Sequence, residues 1–234
     1  SLLRSGSTLI LLSVLAVSSL WVVKVRAAPS YPPMGSTSLI NPTSTLTRDD
    51  LWSGAFHPTD PYQAIIVGAR GKMLKWNGAI LSSIQTGTWA WFYRIAWKPD
   101  GSYALLIGDN GGLEKWNGTY LTRVVPPYWA TSPQGPVTYF ENVAWKPDGS
   151  YALIVGELGS PLQATVWKYD GSALTWLYTA GNSHFYTVAW KPDGSYALIA
   201  GSSGSMCRYD GMSFATILTG ISDPLYRASW KTDG

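Results

Sequence analysis

An internal repeat constrains the fold of this chain more than any other feature of its sequence. The phrase AWKPDGSYAL occurs three times, at Ala96–Leu105, Ala144–Leu153 and Ala189–Leu198. A divergent copy covers Leu51–Leu81, and a fifth copy begins at Tyr226. The equivalent aromatic residues recur after 41, 48, 45 and 40 positions; they are Phe56, Trp97, Trp145, Trp190 and Trp230. Repetition on this scale predicts a row of equivalent structural units, each packed against its neighbours.

The second copy shows how one unit is built. Four short strands are predicted, at Arg94–Lys98, Tyr103–Ile107, Leu113–Trp116 and Thr119–Arg123. A Pro-Asp-Gly-Ser turn joins the first two strands, because proline fixes φ and Asp-Gly suits a tight turn. Asn117-Gly118 predicts a two-residue type I′ hairpin between the last two. Four short strands in each repeat of this length predict an all-β fold, a β-propeller of four-stranded antiparallel blades.

The units resemble blades of the WD40 and YVTN-type β-propeller superfamily. In that superfamily a Pro-Asp-Gly turn joins the innermost strand to the second, and an aromatic residue ends the third strand. Trp76, Trp116, Trp167 and Tyr209 take that third-strand place here. The resemblance covers 51–234 and departs from strict WD40 sequences, because Trp-Asn-Gly or Tyr-Asp-Gly stands where a Trp-Asp dipeptide is usual. We place the propeller at 49–234, with blades near 51–92, 93–140, 141–185, 186–225 and, in part, 226–234.

The number of blades is expected to exceed the number of repeats in the sequence. The four full copies and the start of a fifth form an incomplete ring, since Gly234 falls within the turn after a first strand. A closed ring of six to eight blades needs on the order of another 80–150 residues. Completion of the ring by partner chains is the alternative.

The N-terminal segment, 1–28, is predicted to be a signal peptide or a signal anchor that forms a hydrophobic helix. Thr8–Val23 contains no charge but is shorter than the roughly 20 apolar residues that span a bilayer. Val25-Arg26-Ala27 fits a small-x-small cleavage site, which favours a secreted or cell-surface protein. An uncleaved membrane anchor through residues 8–23 is the alternative. Residues 29–48 are rich in Ser, Thr and Pro and are predicted to be a linker.

Composition narrows the class of partner. The chain has 17 Lys and Arg against 14 Asp and Glu, and three of the cations, Arg4, Lys24 and Arg26, belong to the N-terminal segment. The remaining body is neutral and has no run of basic residues, which argues against a nucleic-acid partner. The single cysteine, Cys207, cannot form an intramolecular disulfide. Its position in a third strand predicts a buried small hydrophobe.

Comparison of the copies separates a constant face of the propeller from a varied one. The first-to-second and third-to-fourth strand turns share one face and hardly change. The second-to-third turns and the blade connections share the other face and vary freely; they are 69–72, 109–112, 157–164 and 202–205, and 82–92, 124–140, 175–185 and 218–225. Because loops carry function on a rigid scaffold, the varied face is the predicted binding face.

Aromatic residues are concentrated in these varied connections. Exposed Trp and Tyr side chains stack on sugars or anchor a protein partner. Trp89, Trp91, Tyr128 and Trp129 lie near Gly or Pro in the longest connections, so we expect these four to be exposed. Packing between blades is the alternative for any single aromatic residue. The repeated tryptophans of the scaffold are predicted to be core.

Polar residues add to the predicted binding face. Asp109 and Glu157 each follow the glycine that ends a second strand, so both are expected to point into that face. His184 and Phe185 end the next connection. The predicted binding residues are therefore Trp89, Trp91, Asp109, Tyr128, Trp129, Glu157, His184 and Phe185.

Signals for catalysis and for metal binding are few. His57 and His184 are the only histidines, no metal-ligand spacing is present, and the repeated aspartates belong to turns. We therefore predict no cofactor and no metal. The expected function is a non-catalytic binding scaffold for a glycan or a protein at the cell surface or outside the cell. The alternatives are a secreted glycoside hydrolase or lyase that uses Asp109 and Glu157, and a structural subunit of a surface assembly.

Overall fold

The structure is a computed structural model that describes residues 47–109, 112–125, 131–132, 135–159, 163–181 and 183–231, together with the paired short strands Leu15–Ala16 and Ser19–Leu20. Apart from those two strands, the predicted hydrophobic helix, the cleavage site and the linker up to residue 46 lie outside the described residues. In the part of the chain that is described, no helix has the length and apolar character needed to cross a bilayer.

Four antiparallel sheets make up the body; each contains four strands in chain order, and sheet 3 has a fifth, two-residue strand at its edge. Sheet 1 consists of Leu51–Phe56, Ala64–Gly68, Met73–Trp76 and Leu81–Ile84. Sheet 2 consists of Phe92–Trp97, Ala104–Gly108, Leu113–Trp116 and Leu121–Val125. Sheet 3 consists of Gly135–Trp145, Ala152–Leu158, Gln163–Tyr169 and Leu174–Ala180, with Thr131–Ser132 paired to its first strand. Sheet 4 consists of Phe185–Trp190, Ala197–Gly201, Met206–Tyr209 and Phe214–Thr216.

The core lies between neighbouring sheets, as in the blades of a propeller-like fold. Sheets 1 and 2, 2 and 3, and 3 and 4 each share one cluster of buried apolar side chains. The second strands of sheets 1, 2 and 3 are buried at every position, as their nearly continuous apolar sequences predict. Cys207 is 4 % exposed within this core, and burial raises the pKa of its thiol to about 12. The prediction of a buried small hydrophobe is confirmed.

The same aromatic contact joins one sheet to the next. A tyrosine from the first turn packs edge-on against the tryptophan of the following copy at 5.3–5.5 Å between ring centroids; the pairs are Tyr103–Trp145, Tyr151–Trp190 and Tyr196–Trp230. A cation of the third strand lies over each tyrosine ring; the cations are Lys115, Lys168 and Arg208. Trp230 Nε1 also donates a hydrogen bond to the Ala189 carbonyl at 3.1 Å, as Trp145 Nε1 does to Ala96 at 3.3 Å. The fifth copy therefore begins against sheet 4 in the way that sheet 3 meets sheet 2.

The repeated Lys-Pro-Asp-Gly-Ser turns are closed by their own polar groups. The Lys98 N–H donates to the Tyr103 carbonyl at 2.8 Å, and Asp100 Oδ1 accepts from the backbone and hydroxyl of Ser102 at 2.9 and 2.6 Å. The hydrogen bonds from Lys98 and Ser102 hold the pKa of the Asp100 carboxyl well below its usual range. The same bonds recur at 146–151 and 191–196. These aspartates are occupied by the turn, as predicted.

Two local predictions are wrong. The hairpin predicted at Asn117-Gly118 has a four-residue loop, closed by a hydrogen bond from the Asn117 N–H to the Tyr120 carbonyl at 3.4 Å. Within this loop only Gly118 has a positive φ. Asn117 Oδ1 accepts both the Thr119 and Tyr120 N–H groups at 3.0 Å, so Asn117 caps the loop instead of entering the left-handed region that type I′ requires.

The second error concerns the third strand of sheet 3. Ala152 pairs with Tyr169, as Ala104 pairs with Trp116 in sheet 2. Tyr169, and not Trp167, therefore takes the repeated aromatic place, because the register fixes which residue ends the strand. Trp167 is buried two residues earlier, on the same side of the strand.

Candidate functional site

The turns and connections at the two ends of the strands differ in sequence. The first-to-second and third-to-fourth turns lie at one end of the strands, which we call the turn face. The second-to-third turns and the connections between sheets lie at the opposite end, which we call the loop face. Because antiparallel order places alternate connections at opposite ends of a sheet, this follows from the strand order alone. The loop face corresponds to the varied face of the sequence.

A β-bulge recurs at one place in the first strand of all four sheets. Pairing with the second strand skips one residue there, beside a glycine of that strand; the glycine ends the strand in sheets 1, 2 and 4 and lies two residues before the end in sheet 3. The skipped residues are Trp52, Tyr93, Glu141 and Tyr186, and Tyr226 is their equivalent in the fifth copy. A bulge leaves one residue outside the ladder and changes the direction of its side chain. The same bulge thus places Trp, Tyr, Glu and Tyr on the first strands of sheets 1 to 4, beside the loop face.

Aromatic side chains connect the bulge residues to the loops. Trp52 lies 5.3 Å from Trp91 and 5.4 Å from Tyr93 between ring centroids, and Tyr93 lies 6.2 Å from Tyr139. On the other side, Tyr186 stacks on His184 at 6.0 Å and on Tyr226 at 5.1 Å between ring centroids, and these two contacts extend across sheet 4. We call Trp52, Trp91, Tyr93, Tyr139, Tyr186 and Tyr226 the aromatic arc.

Three of the predicted polar residues meet at this arc. Asp109 Oδ1 accepts the Trp91 N–H at 2.9 Å, and Asp109 forms an isolated bridge with Tyr139. Glu157 is 7 % exposed and its Oε2 pairs with His184 Nδ1. Burial, Asp109, Glu141, Tyr139 and Glu157 together raise the pKa of Tyr93 to about 12. Asp109 and Glu157 therefore lie on one face, near the same tyrosine.

Two charged residues of this site were not identified from the sequence. Glu141 occupies a bulge, where burial and the nearby Glu157 raise its pKa, while Arg94 and His184 act in the opposite direction. Arg94 is partly buried, and burial lowers the pKa of its guanidinium. The repeat alignment contained a signal for Glu141, because the other copies carry Trp or Tyr at that position.

A cavity of about 290 Å³ lies at the outer end of the arc, beside sheet 2. Its lining includes Trp89, Trp91, Asp109, Glu114 and Arg123. Trp89 is 80 % exposed and Trp91 is 44 % exposed, so the predicted exposure of both is confirmed. Glu114 is buried, and burial raises its pKa although Arg123 Nη2 donates to Glu114 Oε1 at 3.1 Å. The cavity therefore combines exposed indole surface with fixed polar groups.

The other predicted residues lie elsewhere or are not described. Phe185 is 3 % exposed and packs in the core between sheets 3 and 4, because it directly precedes the bulge and faces the sheet interior. It is removed from the candidate surface. Tyr128 and Trp129 lie outside the described residues. Among the described residues, no group of three His, Cys, Asp or Glu side chains is arranged to hold a metal ion.

Replacement of Glu141 by glutamine is expected to stabilise the protein at neutral pH. Its pKa is raised in the folded state, so the folded state favours the protonated carboxyl and loses stability as the pH rises through that pKa. Glutamine keeps the shape and does not ionise. We expect a gain on the order of 1 kcal/mol at about pH 7 that disappears near pH 4, measured by urea denaturation. An equal gain at both pH values would mean that burial of the charge is not the cause.

Comparisons with known proteins indicate the fold and no activity. No protein-family model matches the chain, and no curated protein matches it. One similar solved structure is hydrazine synthase of Kuenenia stuttgartiensis, with a TM-score of 0.52 and 15 % identity over 65 % of this chain. The chain spans 50 % of that protein's chain. In all, 451 solved chains match this structure, and a fold so widely shared hosts many activities.

Proposed function

We propose that this chain is a recognition module, without catalytic activity of its own, that binds a glycan or a protein through its loop face. The observation that carries the proposal is the repeated β-bulge, which presents an aromatic side chain beside the loop face in sheets 1, 2 and 4 and Glu141 in sheet 3. Bulges beside sites of function re-aim side chains in this way. The aromatic arc and the exposed Trp89 and Trp91 then supply broad apolar surface with a polar edge.

The resemblance to WD40 and YVTN-type propellers supports the same proposal. We propose that the four sheets are consecutive blades of such a propeller, with Trp230 beginning a fifth. We further propose that residues 1–28 direct the protein out of the cell or anchor it there, on the sequence pattern of that segment. The loop face would then be displayed to extracellular glycans or proteins.

The test is binding to a glycan array and to an array of short peptides. Replacement of Trp91 by alanine removes an indole that contacts Trp52, and we expect affinity to fall at least about tenfold. Tyr120→Ala is the matched control, because Tyr120 is 62 % exposed and belongs to a hairpin of the turn face. Equal affinity of wild type and Trp91→Ala would contradict the assigned face. Loss of affinity in Tyr120→Ala alone would move the site to the turn face.

Glycoside hydrolysis is the second candidate, and one observation favours it. Glu141 has a raised pKa and lies in the electrostatic field of a second carboxylate, Glu157, which is the pattern of a general acid beside a base or nucleophile. The hypothesis predicts that Glu141→Gln and Glu157→Gln each abolish hydrolysis of a bound oligosaccharide. Bound oligosaccharide that remains intact for days with the wild type would exclude it.

A further inference from the structure

We propose that the loop face binds an uncharged, hydroxyl-rich sugar whose hydroxyl groups bridge Arg94 and Glu141, between Tyr93 and Tyr186. This inference rests on the proposed function and specifies its ligand. The two charged side chains stand on neighbouring first strands, in sheets 2 and 3. Both are partly buried, and their charges are close enough to act on each other's pKa.

Arg94 retains donor capacity that the described residues do not use. Its Nη1 donates to the Tyr93 carbonyl at 2.7 Å, which is a contact within its own strand. Its Nε is buried and has no hydrogen-bond partner among the described residues. A guanidinium carries five N–H donors in a fixed plane, and a buried donor without an acceptor costs free energy. A ligand cannot reach the buried Nε, but Nη2 keeps some exposure and makes no hydrogen bond to the described residues, so it can donate to an acceptor outside the protein.

Glu141 presents the complementary requirement. Neither an ion pair within 4.0 Å nor a hydrogen bond joins its carboxylate to another described side chain, Arg94 included. A carboxylate is an acceptor only, so on this side of the site it can accept a hydrogen bond from a donor outside the protein. The opposite charges are thus near each other but not in contact. A group that is both donor and acceptor can satisfy both, and a hydroxyl is such a group.

The charge balance argues for a neutral ligand. Arg94 and Glu141 carry opposite charges, and the Glu157 carboxylate contacts Nδ1 of His184. Burial and the nearby Arg94 lower the pKa of Arg227 to about 10. Asp109, on the same face, has a charge opposite to that of Arg227. A ligand with a net charge would leave one of these groups uncompensated in a partly buried site.

The rings beside the pair suit the apolar faces of a sugar. Tyr93 and Tyr186 occupy the bulges on either side of Glu141, and Tyr186 is held by its stacking on His184 and Tyr226. Tyrosine gives a flat apolar surface with a hydroxyl at its edge. A pyranose ring offers C–H groups to Tyr93 and hydroxyls both to the charged pair and to the edge of Tyr186, whose ring faces are covered by His184 and Tyr226.

The test is isothermal titration calorimetry with neutral hexasaccharides of glucose, mannose and N-acetylglucosamine, and with hexagalacturonic acid. We expect the protein to bind at least one neutral hexasaccharide and to bind the acid at least about tenfold more weakly. Arg94→Met and Glu141→Gln are each expected to weaken neutral binding at least about tenfold, since a charged hydrogen bond is lost. Arg208→Met, an arginine of the third strand of sheet 4, is the control and should bind as the wild type does.

The outcomes separate this inference from the proposed function. Failure of every neutral hexasaccharide to bind overturns the inference. Neutral binding that Arg94→Met and Glu141→Gln leave unchanged overturns it as well. If peptides or hexagalacturonic acid bind instead, and Trp91→Ala abolishes that binding, the inference fails while the proposed function stands. If no ligand depends on Trp91, the proposed function fails.

Discussion

Replacement of Trp145 by alanine is expected to lower the free energy of unfolding by about 3–5 kcal/mol. Trp145 is 7 % exposed and packs edge-on against Tyr103 of the preceding sheet and against Tyr169 of its own sheet. The change leaves a cavity at the contact between sheets 2 and 3 and removes the hydrogen bond from Trp145 Nε1 to the Ala96 carbonyl. Urea denaturation followed by circular dichroism measures the effect.

The control for this change is Trp89→Ala. Trp89 is 80 % exposed, so its removal is expected to alter stability by no more than about 0.5 kcal/mol. Because the Tyr–Trp contact recurs between sheets 3 and 4, Trp190→Ala is expected to destabilise by a similar amount to Trp145→Ala. If Trp145→Ala and Trp89→Ala unfolded at comparable urea concentrations, the repeated tryptophan would not be what holds neighbouring sheets together.

Replacement of Gly108 by alanine is expected to cost about 1–3 kcal/mol or more and to weaken ligand binding. A Cβ at Gly108 would stand 1.7 Å from the carbonyl oxygen of Trp91, so the backbone of one strand must move. The same close approach exists at Gly68, Gly156 and Gly201. At Gly108 the displaced residue is Trp91, and a shift there also moves the bulge at Tyr93.

Gly181→Ala is the matched control, because a Cβ at Gly181 meets no atom of the described residues within 4 Å and its φ is not positive. We expect its stability to match the wild type within about 0.5 kcal/mol. Thermal unfolding and the glycan array together test both expectations. A Gly108→Ala protein with the stability and affinity of the wild type would show that this contact does not set the geometry of the loop face.

The repeat predicted the sheets well, because strand sequences and turns recur with little change. The nearly continuous apolar run in Tyr103–Ile107 indicated a buried strand, and the observed strand, Ala104–Gly108, is buried throughout. Asp109 follows the glycine that ends its strand, as predicted, whereas Glu157 and the glycine before it still belong to the strand Ala152–Leu158. These are local patterns, which can be recognised in a single sequence.

The bulges could not be predicted in the same way. Whether Tyr93 is paired or skipped depends on the register between two strands, and the alternation of side chains does not reveal one extra residue. For the same reason Phe185 was assigned to the surface although it precedes a bulge and faces the core. Arg94 and Glu141 gain their importance from burial and from proximity across sheets, which no spacing in the sequence records.

A purely structural role does not explain why a partly buried glutamate with a raised pKa stands at position 141. Burial of its carboxylate without a direct partner among the described residues destabilises the folded state at neutral pH. The position equivalent to Glu141 carries Trp or Tyr in the other repeats, so an aromatic side chain fits the bulge. Sites of function are where such destabilising groups are usually retained.

The most direct test of the account is an NMR titration of the indole N–H resonances with whichever glycan or peptide binds most tightly in the arrays. Trp52 and Trp91 belong to the aromatic arc, whereas Trp76 ends a third strand toward the turn face. We expect the largest shifts at Trp52 and Trp91, with little change at Trp76. Shifts that are largest at Trp76 would contradict the claim that the loop face is the binding surface.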